Sequence, residues 1–312
     1  MAVVFYILLA VSLLILASGA YVFVLACVRR KELPWLVEEE IKKTSYAKYY
    51  KSIVASDAWL KSHNAQDVCV LSKDGLKLHG LWIPAENPRG TILLAHGYRS
   101  TFLVDFGLAY AFYHALGMNI LVPHQRAHGK SEGNYITFGV KESEDMQCWI
   151  EYHNRTYGMH QMILSGLSMG ATTVLYLADQ NLPSNVKCVI ADCGFTSPHA
   201  ILDVVYRTVV HIPSGASLWV ANLFAQIFAG FGLKEKDTRE VLKNAKIPVL
   251  MIHGLDDDFV PSYMTQQGYD ACTGEKELLL VEKAGHGTSF LADKEAYTSK
   301  VISFLEKHLE EF

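Results

Sequence analysis

From about Asp67 to the C-terminus, short apolar runs alternate with amphipathic stretches. DVCVLS and LKLHGLW read as two strands of a hairpin joined across the Asp74-Gly75 turn. Six more runs follow: TILLAH, NILVP, QMILS, VKCVIAD, IPVLMIHG and ELLLVE. Each is short, mostly apolar and without strict alternation, the signature of strands buried on both faces. Between them, residues 140–157, 169–180 and 261–272 carry helical patterning. Strand, helix, strand in repetition predicts an α/β domain over 67–312 around a mostly parallel sheet. Right-handed crossovers then bring the C-terminal strand ends, and the loops after them, to one crevice.

Three segments depart from this rhythm. Residues 2–28 contain no charge, and Arg29, Arg30 and Lys31 follow at once. About 20 apolar helical residues span a bilayer, so 1–30 is expected to be an uncleaved membrane anchor. A cleavable signal peptide has an apolar centre of roughly 7–15 residues behind a basic start, which this chain lacks. The basic cluster on the C-terminal side predicts a single pass with the bulk of the chain in the cytoplasm. Residues 31–66 read as a helical connector, with Glu38/Lys42 and Glu39/Lys43 at helix-supporting spacing. Its aromatic residues Trp35, Tyr46, Tyr49, Tyr50 and Trp59 are expected to pack on the domain, with the bilayer interface as the alternative. The third departure is an insertion over about 196–246, helical and rich in apolar residues including Trp219, Phe224, Phe228 and Phe231, with HIPSG as a break. An insertion of that size between two strands reads as a cap over the crevice, where Phe224 and Phe228 are candidates to line an acyl pocket or simply to pack.

Composition removes several classes. Lys and Arg total 28 against 32 Asp and Glu, so there is no positive field for nucleic acid. The six cysteines are scattered without a CxxC pair, which argues against a disulfide framework or a zinc site. Cys193 lies nearest the expected crevice. His124 and His128, four apart in PHQRAHGKSEG, have no HExxH frame and read as part of a hydrogen-bonded loop rather than a metal site.

The chemistry sits at strand ends. GLSMG follows the strand QMILS and opens a helix, the setting in which glycines let a strand turn sharply and leave a serine, Ser168, exposed. A serine hydroxyl needs a base, and the imidazole of His286 in KAGHG follows the last strand. The base needs a carboxylate, and HGLDDDFVP offers Asp257 first, then Asp256 and Asp258, with Asp192 a remote fourth. Met169 N–H, at the helix start, and Tyr98 N–H, in HGYRS after TILLA, are the expected oxyanion donors. His96 is expected to orient that loop through hydrogen bonds.

LAHGYRS, QRAHGKSEG, GLSMG, DCGFTSP and HGLDDDFVP with AGHG together resemble, in order, the blocks of the α/β-hydrolase superfamily. The resemblance runs from near Asp67 to the C-terminal helix and is closest to membrane-anchored bacterial hydrolases similar to lysophospholipases, esterases and acylaminoacyl-peptidases. It implies a Ser-His-Asp triad, an acyl-enzyme and no cofactor, and it supports Asp257, the fifth position of an HGxxDxxVP block. His124-Gln125-Arg126 stands where the family usually has Asp-x-Arg. The expected substrate is a lipid-like or medium-chain acyl ester; a peptide or amide is the alternative, and a non-catalytic membrane-bound binding protein a third.

Overall fold

A computed structural model describes residues 1–43, 47–107, 109–210 and 214–310 of the chain. Eight strands form one sheet: β1 (Gln66–Leu71), β2 (Lys77–Ile83), β3 (Gly90–Ala95), β4 (Met118–Pro123), β5 (Met162–Leu167), β6 (Val186–Asp192), β7 (Val249–Gly254) and β8 (Lys276–Val281). Their order is β1-β2-β4-β3-β5-β6-β7-β8. β1 and β2 form the expected antiparallel hairpin, and β2 runs antiparallel to β4. All other pairings are parallel. Gly75, at the hairpin turn, has φ +85°, a conformation that glycine adopts without the Cβ clash of other residues.

The apolar runs lack strict alternation because both sheet faces are covered. Successive side chains point to opposite faces: Leu93 and Ala95 of β3 join one buried cluster, Ile92 and Leu94 the other. The helix Val140–Tyr157 forms over the predicted residues and packs into the first cluster through Met146, Trp149 and Ile150. The C-terminal helix Lys294–His308 packs into the second through Tyr297, Val301, Phe304 and Leu305.

The N-terminal helix spans Ala2–Cys27. Its last turn is fixed to the domain: Val28 bridges Tyr135, and the Arg29 guanidinium donates to the carbonyls of Gly129 (2.6 Å) and Ser131 (2.7 Å). In the connector, Lys42 pairs with Glu38 as its spacing predicts, whereas Lys43 pairs with Glu40 three residues back. Trp35, Ile41 and Ile53 form a small core joined by Tyr49 and Tyr50, while Trp59 stacks on His63 and lies against Tyr110. Tyr46, and His211, Ile212 and Pro213 of HIPSG, lie outside the described residues.

The insertion is helical, through Pro198–Val205, Gly215–Phe224 and Thr238–Leu242, but among its described residues none lines the cavity over the crevice. Its helix Gly215–Phe224 lies along the N-terminal helix instead. Ser18 Oγ donates to Ser217 Oγ at 2.9 Å. A Cβ placed on Gly19 would meet Val220 Cβ at 2.4 Å, so the two backbones are in close approach. Phe23 contacts both Phe224 and Phe228 at 6.0 Å between ring centroids. Phe224 and Phe228 are therefore drawn to the N-terminal helix, not to an acyl pocket.

Candidate active site

β5 leads directly into the turn that carries Ser168. This residue has φ 57° and ψ −117°, a conformation unusual for a residue with a side chain and one that is held by its surroundings. Both glycines of GLSMG are required by close backbone approach. A Cβ on Gly166 would lie 2.2 Å from the Gly170 carbonyl oxygen, and one on Gly170 would lie 1.8 Å from that of Ala95. Ser168 N–H donates to the Asp192 carbonyl at 2.8 Å, tying the turn to the end of β6. The strand order reverses between β3 and β5, so Ser168 stands at the switch point, where open α/β sheets place their ligands.

The loops after β7 and β8 bring the two partners to it. Ser168 Oγ and His286 Nε2 are 2.9 Å apart, and His286 Nδ1 and Asp257 Oδ2 are 2.7 Å apart. With Nδ1–H donating to the carboxylate, Nε2 is left to accept the serine proton. Asp257 is buried beneath the imidazole; its Oδ1 accepts from Phe259 N–H (3.0 Å) and Val260 N–H (2.8 Å). Burial alone would raise its pKa, but hydrogen bonds from His253 and His286 and the Val260 N–H hold the carboxyl well below the usual carboxylate range. Asp256 and Asp258, the second and third choices from sequence, are exposed. Asp192 is buried beside the site, with its carboxyl pushed up to about 6 by burial, and its Oδ1 accepts from Ser289 Oγ at 3.0 Å.

The loop after β3 lies against the nucleophile. A Cβ on Gly97 would come within 3.3 Å of Ser168 Cβ. Among the described residues no protein acceptor takes the N–H of Tyr98 or of Met169, which leaves both available to a ligand. His96 orients this loop as expected. Its Nδ1–H donates to the Gly97 carbonyl at 2.9 Å, its Nε2 accepts from Gln125 N–H at 3.0 Å, and burial pushes its pKa down to about 4. Gln125 Nε2 in turn donates to the His96 carbonyl. Arg126 forms a buried pair with Asp145 at 2.6 Å, so the altered His124-Gln125-Arg126 segment still serves as a brace.

Two further residues support the loops around the site, and of these Asp105 escapes sequence reasoning. Asp105 accepts from Gly97 N–H and Ser100 Oγ, each at 2.6 Å, and burial pushes its carboxyl up to about 6. His128 Nε2 accepts from Arg99 N–H at 3.0 Å, with Nδ1–H donating to the Arg126 carbonyl at 2.9 Å. No local motif marks Asp105, since its partners lie in an irregular loop. His128 had a signal in the HxxxH spacing, and the structure turns that spacing into loop support.

A cavity of about 500 Å³ opens over Ser168 and His286, a size suited to a small organic ligand. Its walls come from the connector (Tyr49, Ile53), from Leu103 and Val104, and from Phe290 and Leu291. Among the described residues none from the insertion lines it. The Cys193 sulfur, the Asp257 carboxylate and a His286 nitrogen lie within 4.8 Å of one another. A metal there would have to displace the His286–Asp257 hydrogen bond and ionise a thiol that burial holds well above its usual range. The three side chains therefore suit proton transfer better than ligation.

A family model for the alpha/beta hydrolase fold matches residues 90–229. The uncharacterized protein YqkD of Bacillus subtilis is 28% identical over 233 residues, covering 74% of this chain and 76% of that protein. The uncharacterized membrane protein YNL320W of Saccharomyces cerevisiae is 23% identical over 235 residues, covering 73% and 75%. Among solved structures, the Pyrococcus furiosus esterase Pf2001 superposes with a TM-score of 0.65 at 23% identity, covering 80% of this chain and 92% of that one. Sheet order, the serine turn at the switch point and these matches agree: the chain has the α/β-hydrolase fold.

Proposed function

We propose that the protein is a membrane-anchored serine hydrolase that cleaves carboxylic esters, with a lipid-like or medium-chain acyl group, through an acyl-enzyme. The observation that carries this reading is the unbroken line Ser168–His286–Asp257, with contacts of 2.9 and 2.7 Å. Ser168 Oγ attacks the ester carbonyl as His286 Nε2 takes its proton. Asp257 fixes the tautomer and stabilises the imidazolium. The N–H groups of Tyr98 and Met169 receive the oxyanion, each such donor contributing about 2.7–4 kcal/mol when aimed correctly. His286 then protonates the departing alkoxide, and water, deprotonated by the same imidazole, releases the acid and frees Ser168.

The acyl preference is supported by the apolar cavity walls at Ile53, Leu103, Val104, Phe290 and Leu291, and by how near the site stands to the anchor. Tyr98 OH donates to the Ala26 carbonyl at 2.8 Å, and the Arg99 guanidinium to those of Leu25 (2.7 Å) and Val28 (3.0 Å). The oxyanion loop thus rests on the last turn of the N-terminal helix, where a lipid-derived substrate would arrive. Across p-nitrophenyl esters from acetate to dodecanoate, kcat/KM is expected to rise roughly tenfold or more toward butyrate to octanoate, since each buried CH₂ is worth about 0.8 kcal/mol. A flat series, or faster cleavage of an acylaminoacyl amide, would favour the peptidase reading.

The N-terminal helix is long and apolar enough to cross a bilayer, and Arg29, Arg30 and Lys31 follow it. In this reading the catalytic domain faces the cytoplasm. A C-terminal green fluorescent protein should fluoresce, and a C-terminal alkaline phosphatase should stay inactive. The opposite pair of results would reverse the orientation.

A further inference from the structure

Resting on the proposed anchor, we infer that the inserted helix Gly215–Phe224, with the turn Ala225–Ala229 after it, is itself embedded in the leaflet next to the catalytic domain. Its partner is the lipid bilayer.

Length carries the first part. Residues 2–14 of the N-terminal helix are exposed all round and reach about 20 Å at 1.5 Å per residue. A hydrocarbon core of about 30 Å needs about 20 residues, so the membrane must include the helix to near Tyr21, and any tilt draws in more. The inserted helix meets the N-terminal helix within that interval, at Ser18–Ser217 and Gly19–Val220. An element packed there lies at hydrocarbon depth. Ile15, Ser18, Gly19, Val22, Phe23, Ala26 and Cys27 form one covered stripe on the N-terminal helix. Its close approach at a serine and a glycine is the contact that helices use where lipid surrounds them.

Composition and exposure carry the second part. Residues 208–233 contain no Asp, Glu, Lys or Arg, and Arg207 and Lys234 bound the stretch. Leu218, Val220 and Ala221 are buried, but Trp219 (68% exposed), Leu223, Ile227 (64%) and Phe228 (53%) are left facing out. At spacings of four and eight, Trp219, Leu223 and Ile227 form one stripe. Phe228 lies against Phe23 of the N-terminal helix, whose Tyr21, Val24 and Leu25 are also exposed. Water disfavours such a surface, and an interfacial tryptophan with aliphatic neighbours suits the headgroup boundary. Helix and turn are too short to cross the membrane, so they lie beside the anchor.

The test uses the full-length protein in phosphatidylcholine vesicles with Cys69→Ser, since Cys69 is the exposed cysteine among the described residues. Nitroxide labels are placed singly through Leu8→Cys, Trp219→Cys, Ile227→Cys and Lys61→Cys. Relaxation by oxygen, which partitions into lipid, is compared with relaxation by a water-soluble nickel chelate. Labels at 8, 219 and 227 should respond to oxygen several-fold more than to nickel, and the label at 61 the reverse. If 8 responds to oxygen while 219 and 227 follow 61, the inserted helix is outside the bilayer and the inference fails with the anchor intact. If 8 also follows 61, the anchor reading fails and the inference falls with it. Oxygen and nickel both excluded at 219 and 227 would mean a protein partner or a second copy covers the face, again overturning the inference.

Discussion

Ser168→Ala and His286→Ala are each expected to lower kcat for p-nitrophenyl butyrate by roughly three to six orders of magnitude. The hydroxyl has no other base within the geometry described, and the imidazole is its 2.9 Å neighbour. The two changes remove one device, so the double variant should be little slower than either single one. KM should move far less than kcat, because the apolar walls at Ile53, Leu103, Val104, Phe290 and Leu291 are left in place. A near-native rate in either variant would rule out the mechanism. The fold should survive: Ser168 is held by backbone bonds to Asp192 and from Thr172, which alanine keeps, although the strained φ of 57° remains in both proteins.

Asp257→Asn should cost on the order of 10⁴ in kcat, while Asp256→Asn and Asp258→Asn stay within a few-fold of the native rate. The three residues are consecutive, and only their placement separates them. Asp257 is buried under His286 Nδ1 at 2.7 Å and is bonded by two N–H groups of its own turn. Its neighbours are exposed. An asparagine amide at 257 either turns its NH₂ toward Nδ1 and forces the wrong tautomer, or keeps its oxygen there and loses the charge that stabilises the imidazolium. The first outcome removes the base from serine and the second weakens it. A crippled Asp256→Asn variant beside an active Asp257→Asn one would reassign the acid. Steady-state rates on the three purified variants, with thermal unfolding to check folding, decide it.

The strands β3 to β7 were legible because each is short, apolar on both faces and bounded by turns. The runs TILLAH, NILVP and QMILS fall within a residue or two of β3, β4 and β5. Serine, acid and histidine were legible for a different reason: each follows a strand, and a parallel sheet carries its strand ends to one rim. Spacing alone ranked Asp257 above Asp256 without excluding it, because neighbouring residues in a loop differ in direction, which sequence does not encode. Asp105 left no trace for the same reason.

The insertion was harder to read. An apolar surface around Trp219, Phe224 and Phe228 says that water is avoided, and says nothing of what replaces it. The position between β6 and β7 pointed to the crevice, whereas the serine-glycine step at Ser18 and Gly19 offered a closer fit to the N-terminal helix. The connector, whose aromatic residues were read as packing on the domain, also supplies Tyr49 and Ile53 to the cavity wall. Long-range packing of this kind rests on shape matching between distant segments, and no local pattern carries it.

The most direct test is covalent capture of the nucleophile. The full-length protein, treated with a fluorophosphonate probe and digested, should give a single modified active-site peptide with the adduct on Ser168, and Ser168→Ala should give none. An unlabelled native protein, or an adduct that persists undiminished in Ser168→Ala, would contradict the proposed hydrolase.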